Sequence, residues 1–92
     1  MTDCIESNIT IINKLGLHAR AAAKLVNVAN KHACAIEIGV PERMVNAKSI
    51  MSLMLLAASQ GTELNLRVQG ENAQQAYTDI CTIINNRFDE DE

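Results

Sequence analysis

Hydrophobic and polar positions change period several times along this chain, and each change marks the edge of an element. Ile5, Ile9 and Ile11 fall at even spacing with Asn8 and Thr10 between them, the period-two signature of a half-buried strand. The run Asn13-Lys14-Leu15-Gly16 reads as the turn that ends it. Over residues 19–30 the period lengthens. Ala22, Leu25, Val26 and Ala29 follow i, i+3, i+4, i+7, with Lys24, Asn27 and Lys31 elsewhere, which predicts an amphipathic helix. Cys34, Ile36, Ile38 and Val40 then alternate with Ala35, Glu37 and Gly39. Pro41-Glu42-Arg43 breaks that run, and a short strand over 44–48 completes a hairpin.

Ser49 suits the N-cap of a second helix over 50–59, with Gly61 as its stop. Ile50, Met51, Leu53, Met54, Leu55 and Leu56 cover most of its circumference, more than one buried stripe needs, so some stay exposed. Leu64, Leu66 and Val68 alternate with Glu63, Asn65 and Arg67 in a fourth strand that ends at Gly70. Ala73, Ala76, Tyr77, Ile80, Ile84 and Phe88 trace the stripe of a last helix. Glu71 lies at its positive end and Arg87 near its negative end. The order β-α-β-β-α-β-α, with alternating strands, predicts an α/β two-layer sandwich: a four-stranded antiparallel sheet covered on one face by three helices.

Composition narrows the reading. The 92 residues suffice for one domain, expected over 1–88, with the acidic run Asp89-Glu90-Asp91-Glu92 expected to fray into solvent. With 48% hydrophobic and 21% charged residues the chain resembles ordinary globular proteins. It has no apolar run of about 18 residues to cross a bilayer. Its first residues lack the basic and apolar regions of a secretory signal, so a cytoplasmic location is expected. Cys4, Cys34 and Cys81 have no C-x-x-C spacing, and reduced, partly buried thiols are expected rather than a disulfide framework or a metal site. A net charge of −3 and only two aromatics, Tyr77 and Phe88, argue against a nucleic-acid partner.

The chemistry concentrates in Gly16-Leu17-His18-Ala19-Arg20, where a turn becomes a helix. A helix start presents unpaired N–H groups and partial positive charge, both favourable to phosphate. Arg20 adds a permanently charged fork for phosphate oxygens. A neutral imidazole nitrogen of His18 can attack phosphorus while the other nitrogen is oriented by a hydrogen bond. The spacing alone also accommodates a capping histidine and a solvated arginine. Ser49 has two readings, N-cap alone or N-cap and phosphorylation site. Ile50, Met51 and Met54 read either as core or as an adaptable docking patch. His32 is expected to be solvated or capping, and Met44 simply a strand residue.

The segment Asn13-Lys14-Leu15-Gly16-Leu17-His18-Ala19-Arg20 closely resembles the active-site signature of the HPr family, the histidine-containing phosphocarriers of the phosphoenolpyruvate-dependent phosphotransferase system. Asn46-Ala47-Lys48-Ser49-Ile50-Met51 resembles the family's second signature, and Ser59-Gln60-Gly61-Thr62 also fits. The resemblance implies a phosphohistidine on the His18 nitrogen nearer the backbone, steadied by Arg20, in a stoichiometric carrier that is not itself an enzyme. Enzyme I is the implied donor, and a sugar-specific or regulatory enzyme IIA the acceptor. Ser49 matches a serine that a dedicated kinase modifies in some bacteria, and Ile50, Met51 and Met54 would receive partners. No cofactor or metal is implied, and a monomer is expected. Ala21 stands where many members have proline, which is expected to alter the rigidity of the site rather than its function. Asn-Lys-Leu-Gly and Arg87-Phe88-Asp89-Glu90 resemble the nitrogen-branch relatives, whereas Ala47-Lys48-Ser49 and Ser59-Gln60-Gly61 resemble the sugar-system members, whose general role is favoured. A non-catalytic regulatory module of the same fold is the rival reading, and the presence of both His18 and Arg20 weighs against it.

Overall fold

Three antiparallel ladders build the sheet of the computed structural model, which describes residues 3–92. The elements are β1 (Asp3–Thr10), α1 (Ala19–Ala29), β2 (Ala35–Val40), β3 (Arg43–Asn46), α2 (Ile50–Leu56), β4 (Glu63–Gly70) and α3 (Ala73–Asn85). The strands lie in the order β1-β4-β2-β3. Register follows the hydrophobic pattern: Ile5, Val68 and Ile36 form one row across three strands, and Ser7, Leu66 and Ile38 the next. Because side chains alternate across a strand, these rows face the helices while Glu6 and Arg67 face solvent. The buried face of the sheet meets Leu25 and Val26 of α1, Leu53 of α2, and Ala76, Ile80 and Ile84 of α3. No helix among the described residues is long and apolar enough to cross a membrane.

The element order is the one the periodicity predicts, but several boundaries differ for physical reasons. Helix α2 stops at Leu56 rather than running on to Ser59. Ala57 takes the left-handed conformation at φ 51° and donates its N–H to Met54 O. This early stop lets Ala58 O accept the Leu17 N–H at 2.8 Å, while Gly61 N–H bonds Ile11 O in the turn toward β4. Helix α3 likewise ends at Asn85, and Phe88 is not on its continuous stripe. Arg87, Phe88 and Asp89 form a left-handed turn with φ of 56°, 53° and 64°, and this reversal swings the fully buried Phe88 into the core.

The acidic run after Phe88, expected to extend into solvent, lies against the start of α1 in the structure. Lys14 N–H donates to Glu92 O at 2.9 Å, its Nζ lies 3.4 Å from Glu92 Oε2, and Lys24 Nζ lies 3.4 Å from Asp89 Oδ2. The carboxylates find cations beside the start of α1, and the Phe88 anchor holds them there. His32 is neither merely solvated nor a simple cap: its Nε2 bonds Asp79 of α3 at 2.8 Å, and its carbonyl accepts from Lys48 Nζ at 2.6 Å. Of the thiols, Cys34 is buried and Cys81 half-buried, whereas Cys4 points from the outer face of β1 and is exposed.

The turn before α1 depends on Gly16. Its φ is +71°, and a Cβ there would lie 2.6 Å from Ala58 O and 2.9 Å from the Ser59 Cα. Left-handed strain and a backbone clash therefore act together. Gly16→Ala is expected to lower stability in urea unfolding by about 1–3 kcal/mol. A loss of under about 0.5 kcal/mol, the range of an inert surface change, would contradict this role.

Candidate active site

His18 is the N-cap of α1. Its backbone is extended (φ −81°, ψ −178°), its carbonyl accepts the Ala22 N–H at 2.8 Å, and its side chain turns back over the first helical turn. Two contacts hold the ring. Nδ1 accepts from the Arg20 backbone N–H at 3.3 Å, and Nε2 lies 2.5 Å from Glu90 Oε2. A backbone N–H can only donate and an ionised carboxylate can only accept, so both contacts select one neutral tautomer, with the proton on Nε2 and the lone pair on Nδ1. The histidine side chain is 29% exposed and that of Glu90 only 11%, so the ring is reached by solvent while the carboxylate is nearly buried.

Glu90 is itself held. Asn13 is wholly buried, and its Nδ2 donates to Gly16 O and to Glu90 Oε1, each at 2.8 Å. Both partners are acceptors, which fixes the orientation of the amide. The Asn13 hydrogen bond, above all, keeps the Glu90 carboxyl below the usual glutamate range. His18 and Arg20 act in the same direction, while burial opposes them. The carboxylate that faces His18 is therefore ionised at neutral pH.

Arg20 is exposed on the first turn of α1. With Lys14, Leu15 and Lys24 it lines a shallow groove whose other wall is residues 89–92. Another groove, between β1 and α3, is lined by Asn8, Tyr77, Cys81 and Asn85 among others and contains none of the candidate residues. Ser49 caps α2, its Oγ accepting from the Ser52 N–H at 3.3 Å. Ile50, Met51 and Met54 are not core: they are 42%, 76% and 47% exposed, and only Leu53 of α2 is fully buried. Leu55 and Leu15 are also exposed, at 64% and 68%. The Leu17–Ala58 hydrogen bond and the packing of Gly16 against Ala58 and Ser59 join the His18 turn to the segment that follows α2.

The structure thus brings His18 and the Arg20 backbone together at the helix start and leaves the Arg20 guanidinium free to face solvent. Two residues that contact the site, Asn13 and Glu90, appear in the sequence reading only as parts of longer segments and are assigned no function of their own there. Phe88 was the available signal, since a large apolar residue next to an acidic run anchors that run to the core.

Comparison with known proteins gives the family of the chain. Residues 5–86 match the family model described as PTS HPr component phosphorylation site. Phosphocarrier protein HPr of Pseudomonas aeruginosa is 55% identical over 85 residues, covering 91% of this chain and 94% of that protein. Phosphocarrier protein NPr of Shewanella violacea is 38% identical over 86 residues, 94% of each. The solved structure of HPr-C-His from Thermoanaerobacter tengcongensis superposes with a TM-score of 0.90 at 39% identity, covering 96% of this chain and 99% of that one. A sequence match across nearly the whole chain and a shared β-α-β-β-α-β-α sandwich agree, and the chain belongs to the HPr family of phosphotransferase-system phosphocarriers.

Proposed function

We propose that His18 accepts a phosphoryl group on Nδ1 from phospho-enzyme I and passes it to an enzyme IIA, returning unchanged after each transfer. The observation that carries this reading is the pair of contacts that leaves the lone pair on Nδ1 at the start of α1: the Arg20 N–H donates to Nδ1, and Glu90 accepts from the N–H on Nε2. In the step, the Nδ1 lone pair forms a bond to phosphorus as the bond between phosphorus and the donor breaks, leaving its electron pair on the donor. The ring keeps its Nε2 proton and becomes cationic, and the phosphoryl oxygens, anionic throughout, come to lie beside the α1 amides. Arg20 is the mobile counter-charge for those oxygens. Delivery to the acceptor is the same step reversed. Positioning and charge stabilisation are nearly all that such a transfer requires, so a small site suffices.

The sugar-uptake role is favoured over the nitrogen branch by Ala47-Lys48-Ser49 and Ser59-Gln60-Gly61, which resemble the sugar-system members. Incubation with phosphoenolpyruvate and enzyme I, followed by intact-mass measurement, is expected to add one acid-labile phosphate to the protein and none to folded His18→Ala. Adding enzyme IIA proteins of each branch is then expected to discharge it faster to the sugar-specific one. Absence of labelling, with enzyme I active on a known carrier, would contradict the carrier reading, and faster discharge to the nitrogen-branch acceptor would contradict the branch.

The exposed residues Ile50, Met51, Met54 and Leu55 supply the docking surface in this reading. Flexible methionines suit a surface that must fit a donor and several acceptors in turn. Met51 is exposed enough that Met51→Glu is expected to change stability by no more than about 0.5 kcal/mol. It is expected to raise the KM for enzyme I about ten-fold, the effect of losing an interface contact worth about 1.4 kcal/mol. An unchanged KM would remove Met51 from the interface.

A further inference from the structure

Glu90 forms no bond to phosphorus in the transfer step described above, yet its carboxylate stands 2.5 Å from Nε2 of the ring. The residues before it adopt a conformation that side chains rarely accept, with Arg87, Phe88 and Asp89 all at positive φ. Local strain of this kind persists only where the surroundings over-determine it. Phe88 is fully buried, Asn86 Nδ2 bonds Asp89 Oδ1 at 2.7 Å, and Asp89 N–H bonds Asn86 O at 3.0 Å. At the far side Asn13 grips the second carboxylate oxygen from a wholly buried position. The carboxylate is thus aimed from two directions.

We propose that Glu90 is a positioning residue for His18, fixing the tautomer that leaves Nδ1 nucleophilic and offsetting the positive charge the ring acquires as the phosphoryl group arrives. The inference rests on the reading of His18 as the acceptor. It follows from the chemistry of the two oxygens. Oε1 accepts from Asn13 and Oε2 from His18, so the site needs two acceptors, and only a carboxylate offers both. In Glu90→Gln one position becomes an NH2 group. With the amide oxygen kept on the buried Asn13, that NH2 faces Nε2, withdraws its acceptor, and favours the opposite tautomer, with the proton on Nδ1. Glu90→Ala removes the constraint altogether.

The test is nitrogen-15 NMR of the unphosphorylated imidazole in its neutral form, together with the rate constant for phosphoryl transfer from phospho-enzyme I. The wild type is expected to show a protonated Nε2 and a pyridine-like Nδ1. Glu90→Gln is expected to shift the population toward protonated Nδ1, Glu90→Ala less far, and both variants are expected to transfer about ten-fold more slowly, the loss of a charge-assisted hydrogen bond. Glu90→Asp, which keeps both acceptors on a shorter stem, is expected to recover part of the rate. Thermal unfolding of each variant verifies that the fold is retained. An unchanged tautomer population in Gln and Ala variants would overturn the proposal, and so would a changed population with unchanged transfer. The tautomer measurement needs no phosphoryl donor. A failure of wild-type labelling would therefore count against the carrier reading and leave the Glu90 result to stand or fall separately.

Discussion

A buried amide joins the turn before α1 to the segment after α3: the Asn13 NH2 group donates to Gly16 O and to Glu90 Oε1, each at 2.8 Å. A buried donor left without a partner costs free energy, so each of its two acceptors is held in place by the other's geometry as well as its own. Gly16 is then fixed in the conformation that starts the helix, and Glu90 is fixed against the ring of His18. The imidazole lies between a backbone donor and a carboxylate acceptor, and its two nitrogens cease to be equivalent. Which nitrogen keeps its lone pair is in this sense a packing property of the fold.

The sheet and helices serve to hold these turns. Rows of inward side chains across β1, β4 and β2 bury one face, and the alanines of α1 and α3 let the helices approach closely. Part of the resulting stability is used at the left-handed turn, where three non-glycine residues each cost about 1–2 kcal/mol. Burial of Phe88 offsets about 2–3 kcal/mol of this. The two Asn86–Asp89 hydrogen bonds return about 1 kcal/mol each. The turn is therefore close to neutral, and it delivers a carboxylate to a precise place on the site.

Much of this was legible in the sequence. Period-two and period-3.6 patterns locate all four strands and three helices, because one buried face imposes one period on each element. His18 and Arg20 are legible as a pair because a helix start is a local feature, and the apolar excess of Ile50, Met51 and Met54 reveals a surface that the core does not need. Glu90 was hidden for the opposite reason. Its partners Asn13 and His18 lie far away in sequence, and a run of four acids reads locally as a solvated tail. Phe88 was placed correctly in the core by its spacing, but the left-handed turn that brings it there uses no glycine and leaves no compositional mark. Ala57 misleads in the same way, ending α2 in a conformation that the sequence assigns to Gly61.

A partly exposed histidine and an exposed apolar helix face suit the proposed role of presenting one reactive atom to different partners. In the proposed carrier role the fold orients this ring without enclosing it, so that a donor and an acceptor would approach it in turn. The claim on which this rests is that the reactive atom is Nδ1. Phosphorus–nitrogen coupling in NMR of the nitrogen-15-labelled, enzyme I-phosphorylated protein tests it directly. Coupling of the phosphorus to Nδ1 of His18 is expected, with the proton still on Nε2. Phosphorus on Nε2, the nitrogen that Glu90 occupies here, would contradict the account.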